Sequence, residues 1–109
     1  MSDAYRFSRD VIIRTDQFAA ATEFYSSILG LPVSYRSPNI VGFETGSFQL
    51  FVEKGQQHAP VFDVLVSDVS AAKAKLLAVG CTLVEEDAAL PRCYVRDPYG
   101  MTFNIGLAP

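Results

Sequence analysis

The sequence predicts an α+β chain built from two tandem βαβββ modules, and three observations carry that expectation. The second half repeats the first at an offset of 51 residues, which lays Phe18 on Val69, Ala20 on Ala71 and Ala21 on Ala72, with Gly30 falling near Gly80. Each half opens on a strand-period run, DVIIRT from Asp10 or VFDVLV from Val61, and passes into an alanine-rich helix that a glycine ends. Each half also closes on an apolar strand, SFQLFV from Ser47 or TFNIGL from Thr102. One helix shields only one face of such a module's sheet, so the other face needs a partner. Pairing two modules, within a chain or across a dimer, should leave a curved trough lined by both.

The first strand is expected over residues 7–14, with Asp10, Ile12 and Arg14 on one face and Val11 and Ile13 on the other, under the helix. Asp16 is the expected N-cap of a helix over 17–29 whose Phe18, Ala21, Phe24, Tyr25 and Ile28 form an apolar stripe. Gly30 stops that helix, because glycine takes the left-handed C′ position at little cost. Three short strands follow at 31–36, 40–44 and 48–53, separated by Ser37-Pro38-Asn39 and Thr45-Gly46-Ser47. Residues 54–60, KGQQHAP, are polar and broken by glycine and proline, and they read as the linker between a first module at 1–53 and a second at 61–109.

The second module should hold a strand at 61–66, a helix over 69–79 capped by Ser67 or Asp68, and strands near 82–86, 92–96 and 101–107. Asp97-Pro98-Tyr99-Gly100 has proline second and glycine fourth, a turn that should join the last two strands as a hairpin.

At 109 residues, half of them hydrophobic and 12% aromatic, the chain is expected to form one domain with a packed core rather than a disordered chain. A net charge of -3 without a Lys/Arg cluster argues against nucleic acid, since phosphate binding needs a concentrated basic face. No apolar run approaches the roughly 20 residues of a membrane helix, and the opening MSDAYR has no signal-peptide core, so a cytoplasmic protein without membrane contact is expected. Cys81 and Cys93 lack metal-type spacing and read as reduced, buried small residues.

The run FYSSILGL from Phe24, the ending DPYGMTFN from Asp97 and the doubled module together resemble the vicinal oxygen chelate superfamily, which includes glyoxalase I, bleomycin-resistance proteins and extradiol dioxygenases. The likeness covers essentially the whole chain. It implies the glyoxalase/bleomycin-resistance fold, with a curved, U-shaped mixed sheet. In enzymatic members it also implies a divalent metal on four inward His, Gln or Glu side chains, from the first and last strand of each module. Carried over by motif, those positions are Asp10, Gln49, Val61 and Asn104.

Here the chain departs from the pattern. A catalytic first-row metal site keeps about three protein donors, drawn from imidazole, thiolate or carboxylate. Valine donates nothing and the two amides bring neutral oxygens, so Asp10 alone would neutralise the cation. A one-residue slip would turn the strand's side chains to the opposite face. The single histidine, His58, falls in the expected linker. No metal and no cofactor are therefore expected.

Other polar residues keep two readings each. Asp10 is either solvated or ion-paired at the trough mouth, or contacts a ligand. Arg14 falls where glyoxalase-type members are similar in holding an arginine that grips a substrate carboxylate; otherwise it pairs with Asp10, Glu44 or Glu53. Gln49 and Asn104, at repeat-related positions, suggest handles for a ligand or for each other, because an unpartnered amide costs roughly 1 to 3 kcal/mol in an apolar setting. Phe43, Phe48, Phe51, Tyr94, Tyr99 and Phe103 line either a stacking pocket or the core. No phosphate loop, nucleophile elbow or Ser-His-Asp set is present, and nothing local joins Cys93 to His58.

The function expected from these residues is metal-free binding of a small molecule, of the bleomycin-resistance kind, by a homodimer. Asp10, Arg14, Gln49, Asn104, Phe51 and Tyr94 form the expected ligand-binding set. The rival is a glyoxalase-type enzyme with an oxygen-rich site on Asp10, Gln49 and Asn104, and a third class is a structural or regulatory dimer.

Overall fold

The computed structural model describes residues 5–109, which divide into two compact units: Arg9–Pro60, and Val61–Pro109 together with residues 5–8. The start of the chain at residues 1–4, read above as part of a segment without a signal-peptide core, lies outside the described residues.

The first unit carries β1 (Arg6–Thr15, from Arg9 on), β2 (Val33–Arg36), β3 (Ile40–Glu44) and β4 (Gln49–Lys54), in the order β2-β3-β4-β1. β1 runs parallel to β4 while β2–β3 and β3–β4 are antiparallel, so the sheet is mixed. Its helix α1 (Phe18–Glu23) continues into a π-helical turn over Phe24–Ile28. Val41, Phe43 and Val52 are fully buried, with Ile13, Phe18, Ala21, Tyr25, Leu31 and Leu50 packed on them. Burying each such side chain is worth about 1.5–3 kcal/mol, enough to hold a short helix that could not form alone. Alternation along the strands leaves Asp10, Ile12, Arg14, Gln49, Phe51 and Glu53 on the opposite, helix-free face.

The second unit repeats the plan with β5 (His58–Val66, from Val61 on), α2 (Val69–Ala78), β6 (Thr82–Asp87), β7 (Arg92–Arg96) and β8 (Thr102–Leu107), ordered β5-β8-β7-β6. β5 is parallel to β8, and the other pairs are antiparallel. Val64, Val66, Ala72, Cys93, Val95, Phe103 and Ile105 form the core beneath α2. Asp97 builds the predicted hairpin turn: its Oδ1 accepts from the Tyr99 and Met101 N–H groups, both at 2.9 Å, and Gly100 takes φ +108°.

Three expectations about local structure are corrected. Asp16 does not cap α1: the preceding residue position is Gln17, no side chain caps the helix, and the Gln17 N–H goes to Thr15 Oγ1 instead. The apolar stripe stops at Tyr25, leaving Phe24 and Ile28 46% and 72% exposed. The reason is the π turn, in which the Leu29 N–H reaches back five residues to the Phe24 carbonyl, so a 3.6-residue period no longer keeps one face inward. The linker is also shorter than its composition suggested, because β5 begins at His58, whose ring Nδ1 lies 2.7 Å from the Ala59 carbonyl. Among the described residues no helix is long and apolar enough to cross a membrane.

Candidate functional site

The two parallel strand pairs place one carboxylate beside one amide in each unit. In the first unit Asp10 is the register partner of Gln49, and in the second Asp63 is the register partner of Asn104. The counterpart of Asp10 in the sheet is thus Asp63, not Val61. Val61 lies two residues earlier on the same face and is buried at 3% exposure. The motif carried over on the 51-residue offset lays Asp10 on Val61, whereas backbone pairing selects the residue opposite Asn104. A two-residue displacement keeps the side of the sheet, so it restores a carboxylate without turning the strand over. Asp63 was legible in the sequence as the one charged residue inside the run VFDVLV.

Asp63 is half-buried and held from two sides. Ser8 Oγ donates to its Oδ2 at 2.8 Å, and Asn104 Nδ2 donates to its Oδ1 at 3.0 Å. The other end of the Asn104 amide accepts the Cys93 backbone N–H at 2.9 Å. A backbone N–H can only donate, so the amide atom facing it is the oxygen and the NH2 must face Asp63. Both ends of Asn104 are therefore committed within the sheet. Ser8 and Asp63 are the two members of this network that the sequence reading missed.

In the first unit Gln49 Oε1 accepts from Ser34 Oγ at 2.9 Å. Arg14 Nε donates to Glu53 Oε1 at 3.0 Å, the ion pair that was one of its two readings, and the arginine stem lies over Gly55. Phe51 packs against Gly42 and stands 6.4 Å, centroid to centroid, from Tyr35. In the second unit Tyr94 is buried beside Asn104 in register, with the Arg92 guanidinium 4.9 Å from its ring centre and Arg92 paired to Glu85 at 3.0 Å. Two of the aromatics weighed for a stacking pocket, Phe43 and Phe103, belong to the cores beneath the helices. Phe48 and Tyr99 are exposed.

The thiols are buried and neither is bonded to another cysteine. Burial, aided by Asp97, pushes the Cys81 thiol up, and burial followed by Glu86 does the same for Cys93. A raised thiol is a poor nucleophile, which opposes a catalytic role for either.

A divalent metal of the kind found in enzymatic relatives does not fit these donors. Among the described residues no three His, Cys, Asp or Glu side chains gather as a metal-binding group. Asn104 has turned its oxygen to the Cys93 N–H and its NH2 to Asp63, so it offers a metal no donor atom. Each unit supplies a single carboxylate at its parallel strand pair, Asp10 in the first and Asp63 in the second, and hard oxygen donors of this kind suit Mg2+ or Ca2+ rather than a first-row transition metal.

A family model described as a glyoxalase-like domain matches residues 10–106, nearly the whole chain. This chain belongs to the glyoxalase-like domain family. Its place in the vicinal oxygen chelate superfamily follows, and solved structures share the fold of this glyoxalase-like protein. One is a glyoxalase/bleomycin resistance protein/dioxygenase superfamily member from Vibrio splendidus, at TM-score 0.66 and 16% identity, covering 96% of this chain and 100% of that one. Another is a hypothetical protein from Bacillus halodurans, at TM-score 0.67 and 10% identity, covering 97% and 96%. A third is an extradiol ring-cleaving dioxygenase from Brevibacterium fuscum, at TM-score 0.64 and 23% identity, covering 94% of this chain but 32% of the dioxygenase. The glyoxalase-like chain thus spans about a third of that enzyme's length. No curated protein matches it.

Proposed function

We propose that this protein binds a small molecule without a transition metal and does not turn it over, in the manner of a bleomycin-resistance protein. The observation that supports it best is the orientation of Asn104, whose oxygen is committed to the Cys93 N–H and whose NH2 is committed to Asp63. An amide at a family ligand position has become a brace for a carboxylate. On the helix-free face of the first unit Asp10, Arg14, Gln49 and Phe51 supply polar and aromatic contacts, and on that of the second Asp63 and Asn104 stand with Tyr94; each face suits a ligand held by a few polar groups on apolar walls. The working unit is a homodimer, a reading supported by the exposed Phe24, Ile28 and Leu29 on the first unit.

A metal-dependent enzyme of glyoxalase type is the rival, and the second carboxylate, Asp63, is the observation in its favour. Elemental analysis of purified protein with a thermal-shift screen separates the two. Metal-free binding predicts no stoichiometric transition metal and at least one stabilising organic ligand. Tight one-to-one metal that is lost on Asp10→Ala would overturn it. Light scattering that returns a monomer mass at micromolar concentration would overturn the dimer.

A further inference from the structure

We propose that Asp63 is an anchoring site for an organic cation, a protonated amine, on the helix-free face of the second unit; this rests on the ligand-binding function above and gives its ligand a chemical class. The two groups that hold the carboxylate, Ser8 Oγ at 2.8 Å and Asn104 Nδ2 at 3.0 Å, are both neutral donors. They fix its direction and leave its charge. Among the described residues no Lys, Arg or His pairs with Asp63, whereas Glu44, Glu53, Glu85 and Glu86 each have a cationic partner at 2.8 to 3.0 Å. A carboxylate held in one direction by neutral donors, with acceptor directions left over and no cationic side chain among the described residues on it, is placed to take a charge-assisted hydrogen bond from a cationic ligand.

There is also room for one. A carboxylate offers about four acceptor directions, and the two bonds above use two of them. Gly106 lies beside the site: a Cβ there would stand 3.4 Å from Asp63 Oδ1, 3.6 Å from Asn104 Nδ2 and 3.6 Å from Leu65 Cδ2. The glycine therefore leaves a methyl-sized approach to Oδ1, walled by Leu65. An ammonium N–H can reach the charged oxygen through that gap while the carbon next to it packs on leucine. Asn104 acts here as a positioning residue, and Asp63 makes the contact.

The test uses three probes that share one ring and differ in charge: benzylammonium, benzyl alcohol and benzoate, titrated into the full-length protein and followed by NMR. Benzylammonium should shift the Asn104 side-chain NH2 and the Gly106 amide saturably and bind about tenfold or more tighter than benzyl alcohol, with no such response to benzoate. Asp63→Asn keeps the volume and removes the charge, so the preference for the ammonium should vanish. Gly106→Ala makes only ordinary van der Waals contacts and keeps the charge, yet narrows the approach, and should weaken benzylammonium severalfold. The proposal is overturned if benzylammonium gives no saturable shift, if benzoate binds equally, if the preference survives Asp63→Asn, or if folded Gly106→Ala binds like the parent. Screened neutral or anionic ligands that ignore Asp63→Asn would leave metal-free binding intact and sink this anchor alone. A stoichiometric transition metal would sink the function instead.

Discussion

Arg14 and Glu53, register partners on the parallel strands β1 and β4, close an ion pair at 3.0 Å with their side chains only 13% and 16% exposed. Removing one partner of a buried pair costs about 3–5 kcal/mol, and residual solvent access lowers that, so Glu53→Gln should destabilise the protein by about 2 kcal/mol in urea unfolding. Replacing both partners, with Arg14→Met added, should recover part of the loss because the Arg14 charge then no longer faces a neutral amide in place of its carboxylate partner. A single-variant loss below about 0.5 kcal/mol would mean that the pair behaves as a surface bridge.

The two amides should respond unequally to the same substitution. Asn104→Leu strands the Cys93 N–H and removes a donor from Asp63, and it should cost about 1–3 kcal/mol. Gln49→Leu removes only the acceptor of an exposed Ser34 hydroxyl that water can replace, and should cost less than about 1 kcal/mol. Equal losses in chemical denaturation would contradict the assigned hydrogen bonds. The difference is not visible along the chain, because the bonds to Cys93 and Asp63 come from strand pairing.

Helix capping gives a second contrast. Asp68 caps α2 by accepting the Ala71 N–H at 3.0 Å, so Asp68→Ala should lower stability by about 1 kcal/mol. Asp16 makes no such cap, and Asp16→Ala should leave the melting temperature almost unchanged. A calorimetric comparison of the two variants that ranked them in the reverse order would refute the cap assignment.

Alkaline pH should weaken the fold. Burial raises both thiols above their ordinary value of 9.0, and the hydrogen bond to Glu86 raises Lys73 above 10.5. A group raised by folding binds its proton more tightly in the native state, so its contribution is full below the unfolded value and is lost as pH climbs through the folded one. The melting temperature should hold to about pH 8 and fall above about pH 9, with a shallower fall in Cys81→Ala and Cys93→Ala. Glu44 has the opposite sign: the Arg9 hydrogen bond lowers its carboxyl below 4.5, so its contribution is present above that value and lost on acidification. An alkaline limb that both cysteine variants leave unchanged would assign the fall to other groups.

The amino-acid sequence by itself determined the α+β class, the doubled βαβββ order, the glycine stops at Gly30 and Gly80 and the Asp97 turn, because each depends on neighbours within a few residues. It also supplied the superfamily, through two motifs in order on a repeated background. Only the tertiary structure decided which carboxylate stands opposite Asn104. Counting along the chain reaches Val61, but the pairing of β5 with β8, strands about forty residues apart, sets the register at Asp63. Nor could a local period foresee the π turn that exposes Phe24 and Ile28, or the two bonds that bind both ends of Asn104. Strand register and amide orientation are set by hydrogen bonds between residues remote in sequence, and those partners are named only once the chain has folded.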